Sequence, residues 1–350
     1  MTMKPTIDQV ANLAGVSSAT VSRVFSQKEY VSSKTKQAVM EAAERLHYSP
    51  RKYTRRNLVV SSGVTIGVII ADLHNTFFQQ IIKGMTDVFN DNDISVFICN
   101  SDENPQLEIR YLSALIERRV DGIIISPASE AADYNQEFLQ AIYQKNHIPI
   151  VLIDRDLKGI GLDGVFQDSF TAAFKATEVF IQNGHRNIAI IAGPTTSKPG
   201  LDRLHGYMEA LKDNHIDFRE EYILYGDFKI NSGYLLTKKI IDNYPEVTAI
   251  YCSNNLMAVG ALRALNNAGM AVPDDIGFIS TGSLDEYSFF SSSNITELDL
   301  PAEEMGYECA HLMLERLQTA SKRRRFSAKR ITLDIPLKLK GSEKYPSSRL

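Results

Sequence analysis

Short apolar runs rich in Val and Ile recur along the chain from Thr65 onward, and segments with helical spacing of apolar residues follow them. Buried runs of this kind between amphipathic helices are typical of parallel sheets covered on both faces. A break at LKGIGLDG divides the runs into two series, which predicts two doubly wound α/β lobes. The runs are TIGVIIAD, SVFICNSD, DGIIISPA and IPIVLID, then NIAIIAGP, YILYGDF, VTAIYCSN and DIGFIST.

The ends of these runs carry polar and aromatic residues. Ligands of open parallel sheets bind beyond the carboxyl ends of the strands, so we expect a binding cleft between the lobes. An aromatic platform with charged hydrogen-bonding groups suits a polyol, although from these residues alone the phenylalanines could equally be core and Asp154-Arg155 a surface pair. The candidates are Asn75, Phe77, Phe78, Asp154, Arg155, Arg203, Phe228 and Asn254.

The first fifty residues have a different pattern. Apolar residues at i, i+3, i+4 and i+7 predict a helix in TIDQVANLAG, with Thr6 at its start and Gly15 in the turn. A second helix follows from Ser17, with Val21 and Val24 facing inward, and a third covers about Ser33 to Leu46. Three short helices with a tight turn between the first two indicate a helix-turn-helix module, whose second helix enters the DNA major groove.

The charge distribution agrees with a DNA-binding N-terminus. Residues 1–58 hold ten Lys and Arg against four acids, so this part carries +6 while the whole chain carries −4 and the remainder −10. A basic segment joined to an acidic body suggests that a polyanion meets the basic segment alone, although charge by itself would fit a solvated surface equally well. Small hydroxyls in the second helix permit close approach to base edges and phosphates, and Arg23 can bind guanine or phosphate.

The run TIDQVANLAGVSSATVSRVFSQKEYVSSKTKQAVMEAAERLHYSP resembles, without gaps, the DNA-binding headpiece of the lac repressor (LacI-GalR) family of bacterial transcription regulators. The resemblance continues through the α/β region to about Gly341, which is similar to the family's core and to periplasmic sugar-binding proteins. It implies a headpiece at residues 1–49, a hinge or linker at 50–63, an effector-binding and dimerisation core at 64–341 and a tail at 342–350. The tail has no leucine heptads, so we expect no tetramerisation helix.

The resemblance also implies residue roles at the DNA. In the family, the hinge inserts a leucine into the minor groove, usually seven residues after the proline that ends the third helix. Here that position is Asn57, and Leu58 follows it. We take Leu58 as the inserted leucine, and the shift by one residue leaves this assignment open. The predicted DNA-binding residues are Thr6, Ser17, Ser18, Ala19, Thr20, Ser22, Arg23, Thr35, Arg55 and Leu58.

In the cleft, the resemblance assigns Phe77, Phe78 and Phe228 to stacking and the polar candidates to hydrogen bonding with the effector. This sequence departs from two motifs of the family, and each departure removes an acid. The family's usual GFDD is replaced by Ser280-Thr281-Gly282-Ser283, so Gly282 stands where the acid is expected. The family's usual ND is replaced by Asn254-Asn255. Fewer acids beside Arg155 and Arg203 predict an anionic effector such as a sugar acid or sugar phosphate. Alternatively, Ser283 or Asp285 replaces the acid for a neutral sugar.

Other classes of protein have less support. The sequence has no GxGxxG between a predicted strand and a helix, no GxxxxGK[ST], no GxSxG and no HExxH, so we expect neither an enzyme nor a cofactor. A periplasmic-type sugar-binding protein and a sugar-modifying enzyme remain the alternatives. We see no signal peptide or membrane span, which predicts a cytoplasmic protein. Cys99, Cys252 and Cys309 lie in apolar runs without metal-ligand spacing, so we expect buried free thiols and no metal.

Together these patterns predict a regulator of transcription, most simply a repressor. It would bind palindromic operator DNA as a homodimer, because one headpiece reads only a few base pairs, and a carbohydrate or carbohydrate derivative would control its operator affinity.

Overall fold

The structure is a computed structural model of the 350-residue chain. It divides into two compact units, Met1–Arg56 and Asn57–Leu350. The residues that it describes are 7–18, 20–21, 24, 32–46, 63–129, 136–157, 159–290, 294–320 and 327–349.

The N-terminal unit contains helix α1 (Ile7–Ala14) and helix α2 (Ser33–Arg45), and Ser18, Thr20, Val21 and Val24 between them are also helical. Gly15 ends α1 with φ +67°, in the left-handed region that favours glycine, and this confirms the predicted turn. The apolar faces meet in a small core, as the periodicity predicted. Its buried members are Val10, Ala11, Val21, Val24, Val39, Ala42 and Ala43.

The first lobe of the larger unit contains a six-stranded parallel sheet in the order β11-β5-β4-β3-β1-β2. Its strands are β1 (Thr65–Ile70), β2 (Ser95–Asn100), β3 (Gly122–Ile125), β4 (Ile150–Ile153), β5 (Asp163–Gln167) and β11 (Arg330–Leu333). Helices on the two faces are α3 (Thr76–Asn90), α4 (Pro105–Glu117), α5 (Gln136–Ala141), continued by a π-helical turn over Ile142–Asn146, and α10 (Ala302–Ala320).

The second lobe contains a six-stranded sheet in the order β12-β10-β9-β8-β6-β7, parallel except for the antiparallel pair β10 and β12. Its strands are β6 (Ile188–Ala192), β7 (Ile223–Tyr225), β8 (Ala249–Cys252), β9 (Gly277–Thr281), β10 (Thr296–Leu298) and β12 (Leu337–Lys338). Its helices are α6 (Ser169–Gln182), α7 (Lys198–Asp213), α8 (Ile230–Asn243) and α9 (Asn255–Asn267).

The chain passes between the lobes three times, at Asp168, at residues 299–301 and at residues 334–336. The two-lobed α/β fold is therefore as predicted, but the boundary between the lobes is not. The segment LKGIGLDG was interpreted as the break, whereas its last two residues begin β5, which belongs to the first lobe. Strands β10, β11 and β12 were also missed. Each is two to four residues long, and β11 and β12 pair only after the chain has crossed between the lobes.

Close helix packing fixes the first lobe. A Cβ at Gly84 would lie 2.1 Å from the carbonyl oxygen of Glu303, and one at Gly306 would lie 2.0 Å from that of Ile81, so only glycines allow α3 and α10 to approach this closely.

Cys252 and Cys309 are buried free thiols as expected, whereas Cys99 on the edge strand β2 is only half-buried. Among the helices of the described residues, none combines the length and apolar character needed to cross a bilayer.

Candidate functional site

A cavity between the lobes lies where the strands of both sheets end. Eight of the nine residues predicted for the effector site line it: Asn75, Phe77, Phe78, Asp154, Arg155, Arg203, Phe228 and Asn254. Gly282, the ninth, is not a lining residue, whereas the preceding residue, Thr281, is. Further lining residues that the sequence prediction did not include in the site are Asp72, Glu103, Ser197, Pro199, Asn255, Thr281 and Leu300.

Three helices begin at this cavity, and their N-cap residues line it. Asn75 Oδ1 accepts a hydrogen bond from the Phe77 amide (3.0 Å), and Asn254 Oδ1 accepts one from the Met257 amide (2.8 Å). Ser197 precedes α7 without capping it through its side chain, and its buried hydroxyl has no hydrogen-bond partner among the described residues. An orphan buried hydroxyl costs free energy, so Ser197 is suited to bonding a ligand.

Arg155 is held by protein groups. Its Nη1 and Nη2 donate to the two carboxylate oxygens of Glu103, each at 2.6 Å, and Nη1 also lies within hydrogen-bond distance of the Pro127 and Ala128 carbonyl oxygens at 3.0 and 3.3 Å. This bidentate pair engages both Nη groups, so an anionic ligand would have to compete with Glu103 for them. The prediction of an anionic effector counted Arg155 as a ligand partner, and this geometry weakens that support.

Asp154 and Arg203 also line the cavity, and Asp154 Oδ2 lies 3.9 Å from Arg155 Nε. Asp154 Oδ1 accepts a hydrogen bond from Gln167 Nε2 at 2.7 Å. Burial raises the pKa of Asp154, although the positive charges of Arg155 and Arg203 act to lower it. Arg203 Nη1 donates to the Ser253 carbonyl at 2.9 Å, while its buried Nε has no partner among the described residues. Burial lowers the pKa of Arg203, opposed by Tyr251 and Asp154, but a guanidinium stays charged in proteins.

Three aromatic rings, together with Pro199 and Leu300, form the apolar part of the lining. Phe77 and Phe78 contact each other edge to face, with ring centroids 5.1 Å apart. The Phe228 ring fits because position 193 is glycine, where a Cβ would lie 2.2 Å from Phe228 Cε1. Aromatic faces beside a carboxylate and a guanidinium can bind a ring that has both C–H and O–H groups.

Unusual backbone conformations cluster around the cavity. Asp102, Glu103, Asp154 and Phe228 all have φ between +49° and +65°, in the left-handed region that non-glycine residues rarely adopt. Strain of this kind concentrates where side chains must point in a required direction.

Direct bonds join the lobes across the cavity. Lys229 Nζ donates to Asp72 Oδ2 at 2.8 Å and Asp102 Oδ1 at 3.2 Å, and Asn255 Nδ2 donates to Asn75 Oδ1 at 3.0 Å. Burial acts to raise the pKa of Asp72, but bonds from Lys229 and His74 outweigh it and the pKa is lowered. The cavity has about 40 Å³ of free space, enough for a few water molecules. A sugar ring therefore requires the lobes or lining side chains to move.

The helical unit is described at four of its ten predicted DNA-binding positions. Ser17 Oγ accepts a hydrogen bond from the Thr20 amide at 3.1 Å, which confirms Ser17 as a helix cap. Its hydroxyl also bonds that of Thr20 at 2.9 Å, and Ser32 bonds the Thr35 hydroxyl at 2.8 Å. Ser17 is exposed, and Ser18, Thr20 and Thr35 are half-exposed. The other predictions fall outside the described residues: Thr6, Ala19, Ser22, Arg23, Arg55 and Leu58.

Within the described ranges, no group of three or more His, Cys, Asp or Glu is arranged to hold a metal ion.

Comparison with known proteins places this geometry in a family. Residues 63–343 match the model for periplasmic binding proteins and the sugar-binding domain of the LacI family, and residues 6–51 match the model for bacterial regulatory proteins of the lacI family. The chain belongs to the LacI family, as the sequence predicted.

Among similar curated proteins are two transcriptional repressors named PurR. The one from Klebsiella pneumoniae (strain 342) is 31% identical over 89% of this chain and 90% of its own length. The one from Histophilus somni (strain 129Pt) is 31% identical over 91% of this chain and 93% of its own length.

Similar solved structures include two with bound sugars. The transcriptional regulator CelR in complex with cellobiose has a TM-score of 0.70 and 28% identity, covering 97% of this chain and 99% of that one. A LacI family regulator from Enterococcus faecium with bound ribose has a TM-score of 0.69 and 25% identity, covering 81% and 99%.

Proposed function

We propose that this protein is a cytoplasmic transcriptional repressor whose operator affinity changes when a small molecule occupies the cavity between its lobes. The observation that carries the proposal is the cavity itself: polar strand ends from both lobes meet there, in a chain that also folds a helix-turn-helix unit. A ligand bound to both lobes changes their separation, which gives it a means of control. We assign DNA binding to residues 1–49, the linker to 50–63, the core to 64–341 and the tail to 342–350.

The effector we propose is a neutral, ring-shaped polyol or sugar. Asp154 accepts and Arg203 donates hydrogen bonds at its hydroxyls, and the aromatic rings bind its apolar face. Cellobiose and ribose, the ligands in the CelR and Enterococcus faecium structures, belong to this chemical class. An anionic sugar is the second candidate, favoured by the absence of acids at Gly282 and Asn255, with Arg203 as its partner.

The assembly we propose is a homodimer on a palindromic operator. Each sheet ends in an edge strand that carries large exposed apolar side chains: Phe97 and Ile98 on β2, and Tyr225 on β7. Exposed apolar groups on sheet edges favour burial against another copy of the chain. A dimer also places two recognition helices on two half-sites, which one headpiece cannot do.

A binding experiment tests the proposal. The operator is first selected from random duplex DNA, and fluorescence anisotropy then measures its affinity for the full chain over a salt series. We expect affinity to fall steeply with salt because phosphate contacts release counterions. Deleting residues 1–58 removes operator binding and leaves sugar binding intact. A truncated core that still binds the operator contradicts the modular assignment.

The effector part is tested on the same protein with Arg203→Ala. Sugars are screened by thermal shift, since a ligand raises the melting temperature as its concentration exceeds its Kd. Each sugar that binds is then added to the operator complex. Arg203→Ala should bind the operator normally but lose the sugar response. Arg110→Ala, at an exposed position on α4, is the matched control and should retain the response. Equal responses in both variants place the effector elsewhere.

A further inference from the structure

A second, wider groove continues from the cavity to the chain crossing at Asp168. It has about 310 Å³ of free space, compared with about 40 Å³ in the inner cavity. Asp154 and Pro199 line both, so the two spaces are adjacent parts of one cleft. Its other lining residues are Asp156, Phe166, Gln167, Asp168, Phe170, Lys198, Asp202, Arg330 and Thr332.

Gln167 links the groove to the inner cavity. Its side chain is buried, and Nε2 donates to Asp154 Oδ1 at 2.7 Å. Its Oε1 is buried without a hydrogen-bond partner in the part of the chain that the structure describes. A ligand hydroxyl in the groove could donate to this oxygen, and that bond would remove the desolvation cost of an unpaired acceptor.

The charged groups of the groove show which ligands it excludes. Arg330 Nη2 lies 2.5 Å from Asp156 Oδ1, and Lys198 pairs with Asp202. Both cations already have carboxylate partners, and Asp154 and Asp168 add further acids. A phosphate or carboxylate entering here would face more negative than positive charge, so the groove is unsuited to anions.

Aromatic groups supply the complementary surface. The Arg330 guanidinium lies over the Phe166 ring, with 4.5 Å between Cζ and the ring centroid. Phe170 stands on the opposite lobe and is 39% exposed, so its ring can contact a ligand without rearrangement of the core.

We propose that this groove binds the second ring of a two-ring, uncharged saccharide whose first ring occupies the inner cavity. The inference rests on the proposed function. The groove draws its walls from both lobes, with Phe166, Arg330 and Thr332 on the first and Phe170, Lys198 and Asp202 on the second. A second ring therefore contacts both lobes beside the crossing at Asp168 and strengthens the effect of the ligand on lobe separation.

The test is calorimetry on the full chain with cellobiose, maltose, trehalose and sucrose, and with glucose and fructose as their constituent monosaccharides. At least one disaccharide should bind about tenfold more tightly than its constituents, equivalent to about 1.4 kcal/mol. Two groove variants are compared: Phe170→Ala removes the exposed ring, and Thr332→Trp fills the groove from an exposed strand position. Each should weaken the disaccharide about tenfold and leave the monosaccharides unchanged.

Phe218→Ala is the matched control, since Phe218 is 42% exposed and is not a groove residue. It should change no affinity. Disaccharide binding that neither groove variant weakens, or monosaccharides that bind as tightly as disaccharides, overturns the second-ring site and leaves the proposed function standing. If none of these sugars binds the wild-type protein, the second-ring inference fails, and the choice of a neutral sugar as effector fails with it.

Discussion

The N-terminal helical unit and the α/β core use their polar residues in opposite ways. In the helical unit the described core is made of valine and alanine, and the hydroxyls of Ser17, Thr20 and Thr35 lie at helix starts, exposed or half-exposed. In the core, Asp154 and Arg203 are buried at strand ends, surrounded by hydrogen-bonding groups and aromatic rings. One region presents polar groups to water, and the other removes them from it.

This difference teaches how each region binds its ligand. Exposed groups that meet a phosphate backbone act through charge that salt screens, so their contributions are individually modest and depend on ionic strength. Buried groups have already lost their hydration, so each requires a partner in the correct geometry, and replacing one partner has a large effect. Substitutions should therefore act strongly on the core and moderately on the DNA surface.

The largest effect is expected at Glu108, which is buried on α4 near the cavity. Its Oε2 accepts from the Ala128 amide at 2.6 Å, and Oε1 has no partner among the described residues. Burial raises the pKa of Glu108 to about 8, against the Ala128 hydrogen bond and the charge of Arg155. The folded state therefore binds this proton more tightly than the unfolded state, where the carboxyl has its ordinary pKa of about 4.3.

The sign of the pH effect follows. The contribution of Glu108 to stability is complete below about pH 4.3 and is lost as pH rises toward the folded pKa of about 8. Glu108→Gln retains an acceptor for the Ala128 amide and cannot ionise. At pH 8.5 the variant should be more stable than the wild type by a few kcal/mol, and the difference should shrink toward pH 5.

Calorimetric melting of both proteins across this pH range measures the effect. Glu117→Gln, at the exposed end of the same helix, is the control and should follow the wild type. Parallel curves for the wild type and Glu108→Gln would show that burial does not hold this carboxyl neutral.

A smaller effect is expected at the DNA surface. Arg23 lies outside the described residues, and its assignment rests on the sequence. If it donates two hydrogen bonds to a guanine, Arg23→Ala should weaken operator binding by about 1 to 3 kcal/mol without changing sugar affinity. Anisotropy titrations on the selected operator measure the loss.

A library at Ser18 and Ala19 sharpens the same prediction. The sequence predicts that these positions begin the recognition helix, so their side chains should change which operator is preferred, whereas loss of a phosphate contact weakens all sequences alike. An unchanged preferred operator across the library contradicts the placement of this helix.

Much of the fold followed from local patterns. The eight apolar runs became strands, and the first and third N-terminal helices were placed correctly, because their periodicity could be read locally. Strand β5 was missed because Asp163 and Gly164 begin it within a glycine-containing segment that resembled a loop. The short strands β11 and β12 depend on pairing with distant parts of the chain, which local spacing does not specify.

The sequence predicted where the cavity lies more completely than it predicted which charged side chains pair with each other there. Residues directly after strands were found by the rule for parallel sheets, and Asp72 and Glu103 follow β1 and β2 in the same way. What no pattern indicated is that Glu103 pairs with Arg155 across 52 residues of chain. That contact forms only in the folded lobe, yet it decides whether Arg155 can bind a ligand.

The smallest predicted effect tests that contact. Glu103→Gln keeps the size of the side chain but removes its charge, so Arg155 loses its bidentate carboxylate partner and the net charge beside the cavity becomes more positive by one. Affinity for sugar acids, measured against their neutral parents by calorimetry, should rise by about tenfold, and affinity for neutral sugars should change little. Glu117→Gln removes a charge at an exposed position of the same lobe outside the cavity lining, and is the control for a general change in charge. An equal gain in affinity for sugar acids in both variants would mean that overall charge, and not release of Arg155 from Glu103, sets the preference for acids. A wild-type protein that already binds sugar acids more tightly than neutral sugars would make the anionic sugar the first candidate for the effector.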